Sequence, residues 1–131
     1  MSRRRSRLLV CRVVPVLVTV GALTGCAPAG NPVATFRVVD ETYRIELATP
    51  ELVEHAEALL AGEAVARIPL GRVVRGETSV NSGWSWHIDP ATLEFADVTI
   101  EVCDGLPSYV EDEIVTSPDY CPWSAEIVSI D

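Results

Sequence analysis

The sequence predicts a small single-core α+β domain: a mostly antiparallel sheet of about six strands, two or three short helices and one disulfide. Three observations predict it. Past residue 32, apolar and polar residues alternate in several short runs, the two-residue period of half-buried strands. One run, residues 50–60, switches to helical spacing. Prolines, glycines and acidic turns keep every run short, and the irregular order of strands and helices is that of the α+β class.

The elements follow in order. Residues 33–39 are rich in β-formers, Asp40-Glu41-Thr42 is polar enough to turn, and Tyr43, Ile45 and Leu47 then share a face opposite Arg44 and Glu46, so a hairpin is expected. Thr49-Pro50 opens a helix, with Thr49 as N-cap, Pro50 at the first position and Glu51 in the first turn. Leu52, Val53, Ala56, Leu59 and Leu60 recur at helical spacing, and Gly62 is the stop. His55 belongs to the flank. Residues 64–74 read as a strand in which Gly71 marks a bulge or close approach.

After a loop over residues 76–83, Trp84, Trp86 and Ile88 share one face of a short strand, and Ser85, His87 and Asp89 share the other. Asp89-Pro90 starts a turn or short helix reaching about Phe95. Val98, Ile100 and Val102 alternate with Thr99, Glu101 and Cys103, which predicts a half-buried strand. Residues 106–115 suggest a short acidic helix, and residues 121–130 a last strand.

Residues 1–25 stand apart from this domain. Arg3, Arg4, Arg5, Arg7 and Arg12 precede or interrupt a short apolar run, the pattern of a signal peptide rather than a span. Its ending, Leu23-Thr24-Gly25-Cys26, resembles the lipobox of bacterial lipoproteins. The resemblance implies cleavage before Cys26 and lipidation (diacylglycerol, palmitate) of its thiol. The expected location is the extracytoplasmic face of a bacterial cell membrane, with the membrane itself a partner through that lipid. Residues 26–32 are then a tether of about 20 Å, and residues 33–131 the domain.

Removing the leader leaves five arginines and no lysine against 19 acids, a net charge of −14. Nucleic acid, which needs a basic face, is excluded as a partner, and anionic headgroups are repelled. Cations and basic partners suit the excess, which also keeps an exported domain dispersed. Cys103 and Cys121 are an even pair in an exported chain, which points to a disulfide worth about 3 kcal/mol. A zinc site would need two further donors, with only His55 and His87 on offer.

The segment 81–90, Asn-Ser-Gly-Trp-Ser-Trp-His-Ile-Asp-Pro, has two readings. In the structural one, Trp84, Trp86 and Trp123 surround the Cys103–Cys121 bridge as the main core, Asn81 and Gly83 make the turn, Asp89 caps Pro90, and His87 bonds to a carbonyl or carboxylate. In the functional one, His87, Asp89, Glu101 and Asp104 converge from two neighbouring strands. Calcium would suit oxygen donors, zinc or manganese a set including His87, and an acid/base pair is the other use of such a set. No H-E-x-x-H, G-x-S-x-G, P-loop or EF-hand loop is present. Glu111-Asp112-Glu113 reads as a solvated helix face.

Asn81-x-x-Trp84-Ser85-Trp86-His87-x-Asp89-Pro90, then Glu101-Val102-Cys103-Asp104, then Cys121-Pro122-Trp123-Ser124, together resemble a family of calmodulin-binding-protein-like extracellular domains, named after the N-terminal domain of a eukaryotic binding protein. The resemblance runs from about Ala34 to Ile130. It implies a compact domain with Cys103 and Cys121 paired. Calmodulin itself does not transfer as a partner, because it is acidic and cytosolic, and this chain offers no basic amphipathic helix.

The expectation is a lipid-anchored binding module, not an enzyme, that recognises an extracellular protein or glycan. Its binding surface is expected around Asn81, Trp84 and Trp86, with Arg72 and Arg75 as helpers. The alternatives are a divalent-metal or weakly hydrolytic domain using His87, Glu101 and Asp104, and a structural envelope protein.

Overall fold

The computed structural model describes residues 30–131. The leader arginines, the Leu23-Thr24-Gly25-Cys26 sequence and most of the expected tether lie outside the described residues. Among the described residues, no helix is long and apolar enough to cross a membrane.

Strands β1 (Val33–Val38) and β2 (Glu41–Glu46) form the expected antiparallel hairpin, with Val38 opposite Glu41. Val39 makes its tight turn at φ 58°, a left-handed conformation that a β-branched residue adopts at a cost. Helix α1 (Pro50–Leu60) begins as its sequence demands: Thr49 accepts a bond from the Leu52 N–H at 3.3 Å. It ends at Gly62, whose φ is 80°, with Gly62 N–H bonding Leu59 O and Glu63 N–H bonding Ala58 O. Glu51, in the first turn, has its carboxyl held below the usual range by its own backbone N–H and then by Thr49.

Strand β3 (Ile68–Arg75) is the hub of the second sheet. Its start pairs with β5 (Glu94–Ala96), its middle with β6 (Asp119–Tyr120) and its end with β4 (Trp86–Ile88), all antiparallel. Gly71, where β6 joins, admits no side chain: a Cβ there would overlap the Ile88 methyl. The last strand, β7 (Glu126–Ile130), returns to the first sheet beside β1, giving the order β2-β1-β7. Seven strands in two antiparallel sheets, two helices and one disulfide thus make up the described residues.

The core lies between the sheets. Phe36, Tyr43, Trp86 and Tyr120 are buried, with Tyr43, Trp86 and Tyr120 in mutual contact at centroid distances of 5.4 to 5.8 Å. Ile45, Leu47, Ala56, Val110 and Leu93 complete it. His55 flanks this core by stacking on Phe95 at 4.4 Å while its Nε2 meets the Ala66 carbonyl at 2.6 Å, so it ties α1 to β5.

Four expectations need correction. Residues 98–102 are not a half-buried strand: no strand lies alongside among the described residues, and a 3-10 turn, Glu101–Cys103, swings the chain so that Cys103 is buried while Val98, Ile100 and Val102 face solvent. The strand of this region is β5 instead, reached directly after a 3-10 turn, Pro90–Thr92. The acidic helix is shorter than expected: α2 is Pro107–Glu111. Finally, the tryptophans do not surround the disulfide. Cys103 and Cys121 pack with Ile68 and Leu70 in a separate small cluster, whereas Trp84 and Trp86 join the main core and Trp123 is at the surface.

Candidate functional site

The segment 81–90 is first of all a clasp. Asn81 is buried, and its side chain is used at both ends: Oδ1 accepts from the Arg44 N–H at 2.8 Å, and Nδ2 donates to the Trp86 carbonyl at 2.9 Å. It thereby joins the outer edge of β2 to β4. Trp84 adds a second stitch, its Nε1 donating to the Thr42 carbonyl at 2.9 Å. Ser85 donates from N–H and Oγ to the Glu111 carboxylate at 3.0 and 2.8 Å, so the first acid of the 111–113 run is a tie rather than a solvated face. Asp89 caps the following turn, accepting from the Ala91 N–H at 3.0 Å.

Asn81 and Trp86 therefore cannot present themselves to a ligand, which corrects their assignment to a binding surface: both are spent inside the fold. Trp84 is half-buried with its polar edge engaged. The aromatic cluster beneath carries two buried groups, Tyr43 Oη and Trp86 Nε1, with no hydrogen-bond partner among the described residues. Burial pushes the Tyr43 phenol well up, and the neighbouring Tyr120 adds to this. The Tyr120 phenol, which donates to the Gly105 carbonyl at 2.8 Å, is also raised, by burial and then by the Asp104 and Glu41 carboxylates.

The expected metal set is not brought together. His87 Nδ1 meets the Gly76 carbonyl at 3.1 Å, Asp89 is engaged as a cap, and Glu101 is exposed on its 3-10 turn. Asp104 Oδ1 accepts from the Gly105 and Trp123 N–H groups at 2.9 and 2.8 Å. The convergence required Glu101 on a strand beside β4, and β4 pairs with β3 alone among the described residues. Among those residues, no group of three or more His, Cys, Asp or Glu side chains is placed to hold a metal.

What the segment does expose is one side of a cleft of about 260 Å³. His87, Ile88 and Pro90 face Arg44 and Glu46 of β2 across it, with Thr78 and Val80 of the intervening loop at the rim. The bond to Gly76 orients the imidazole and leaves Nε2 for a ligand. Glu46 is already bonded to Asn31 at 2.6 Å, and Arg44 reaches Asp131 only at 3.4 Å, so the guanidinium is lightly engaged. A guanidinium, an imidazole and a hydroxyl around apolar Val80, Ile88 and Pro90 suit a small polar ligand that also has an apolar face. Arg44, Glu46, Thr78 and Val80 were not singled out from the sequence. Their one signal was that Arg44 and Glu46 fall on the polar face of a predicted strand.

A two-sheet α+β domain with one disulfide and this clasp is the class that the geometry defines. The family model described as the BP-seventy-four N-terminal domain matches residues 32–131, and the chain belongs to that family. Searches of curated proteins and of solved structures return no match.

Proposed function

We propose that the protein is a lipid-anchored, extracytoplasmic binding module of a bacterial cell envelope, and that it recognises a protein or glycan rather than transforming a substrate. The anchoring half rests on the sequence: basic residues, a short apolar run and Leu23-Thr24-Gly25-Cys26. Cys26→Ser tests it. The variant should move from the membrane fraction to the medium or periplasm; a wild type already soluble there would refute anchoring.

The binding half rests on the cleft between β2 and β4. Here the exposed remainder of segment 81–90 meets a cation from a distant part of the chain. A carboxylate-bearing envelope glycan fits that chemistry, its acid against Arg44 and its ring against Ile88 and Pro90. The test is an NMR titration with a murein disaccharide as probe. Shifts should concentrate at residues 44–46, 78–80 and 87–90 and disappear in Arg44→Ala and His87→Ala. Shifts elsewhere, or shifts unchanged in both variants, would count against the cleft.

A further inference from the structure

Three aliphatic side chains of one short segment stand in solvent: Val98 is 83% exposed, Ile100 68% and Val102 63%. Trp123 lies beside them, 37% exposed, with its Nε1 donating to Thr99 Oγ1 at 2.6 Å. Single exposed apolar residues are ordinary, but several gathered next to a tryptophan are the usual mark of an interaction surface.

This ridge is braced. Cys103 closes it through the bond to Cys121, whose N–H also donates to the Cys103 carbonyl at 2.7 Å. Asp104 fixes the Trp123 backbone at 2.8 Å. A partner therefore meets a surface whose backbone is already ordered, which lowers the entropic cost of docking.

Charge decides what that partner is. Asp97, Glu101 and Asp104 border the ridge, against Arg67 on the side of Ile68 and Trp123. The five arginines and 19 acids of the domain make a second copy or an anionic lipid surface an electrostatically poor match. Position also disfavours the protein's own membrane. The chain enters at Val33, paired with Asp131, and β7 runs back to Glu126 beside Arg37, away from that end. Trp123 precedes the far end of β7. Four strand residues already span about 13 Å.

We infer that the Val98–Val102 ridge with Trp123 docks a basic polypeptide segment carrying an apolar face. Aliphatic side chains of the partner cover Val98, Ile100 and Trp123, and its lysines or arginines meet Asp97 and Glu101. This surface is separate from the cleft at His87 and stands or falls without it.

The test uses the full chain in phosphatidylcholine nanodiscs, with empty nanodiscs as reference. The probe is a fluorescein-labelled 14-residue peptide of alternating leucine and lysine, followed by anisotropy. Ile100→Ser/Val102→Ser should weaken binding about tenfold or more. Asp97→Lys/Glu101→Lys should weaken it comparably at low salt, with the difference shrinking in high salt. All four sites are exposed, so melting should be unchanged; His87→Ala should leave binding intact. Peptide affinity indifferent to the apolar variant overturns the inference. So does a concentration-dependent dimer that Ile100→Ser abolishes, which would assign the ridge to a second copy, or preferential docking to phosphatidylserine nanodiscs, which would assign it to lipid.

Discussion

Residues 43–47 and residues 98–102 carry the same alternation of apolar and polar side chains and end in opposite environments. Tyr43, Ile45 and Leu47 are 1%, 2% and 1% exposed; Val98, Ile100 and Val102 are 83%, 68% and 63%. The first run has β1 bonded along it and the aromatic core beneath. The second has no strand beside it among the described residues, and its one buried anchor, Cys103, lies on the other parity. Alternation specifies that one face differs from the other. Which face is buried is decided by what the rest of the chain brings alongside.

The largest effect that would sharpen this contrast is expected at the tryptophans. Trp86→Ala should cost about 3–5 kcal/mol, because the ring is enclosed by Tyr43, Tyr120 and Trp84. Trp123→Ala, at the ridge, should cost less than about 1 kcal/mol. Urea midpoints of the two variants measure the difference, and equal losses would break the division into core and ridge.

Asn81→Ala comes next. It strands the Arg44 N–H and the Trp86 carbonyl and should destabilise by about 2–3 kcal/mol. A stable variant would mean that Asn81 is not the clasp between β2 and β4.

The pH dependence probes the same core. Tyr43 and Tyr120 both titrate above the ordinary phenol value. Below the unfolded value of about 10 their contribution is complete. Above it the unfolded chain releases protons that the folded one retains, so stability falls as pH rises, by up to about 1.4 kcal/mol per pH unit for each tyrosine. Unfolding midpoints measured at neutral and strongly alkaline pH should diverge in that direction.

A smaller effect separates the two phenols. Tyr120→Phe should cost about 1 kcal/mol through the lost bond to Gly105. Tyr43→Phe removes a buried hydroxyl that has no partner among the described residues and should be neutral or slightly stabilising.

The sequence reading succeeded where local chemistry decides. Thr49, Pro50 and Gly62 delimit α1 by caps that act over three or four residues, and Asp89 caps Pro90 in the same way. Gly71 is a close approach, as a glycine within a strand suggests. It failed where the outcome depends on distant partners. Nothing local says that residues 98–102 lack a neighbouring strand, nor that Arg44 lies across a cleft from His87. The site was therefore half legible. The segment 81–90 stands out in the sequence, but its tryptophans and Asn81 build the frame, and only His87, Ile88 and Pro90 are left to line the cleft.

The most direct test of this account is to make the same substitution in both alternating runs, Ile45→Ser and Ile100→Ser, and measure unfolding free energies side by side. Ile45→Ser should lose at least about 3 kcal/mol, since it removes buried apolar volume and places a hydroxyl in the core. Ile100→Ser should stay within about 0.5 kcal/mol of the parent, as exposed substitutions do. A loss at Ile100 as large as that at Ile45 would show that residues 98–102 are packed after all, and would remove the ridge on which the docking surface depends.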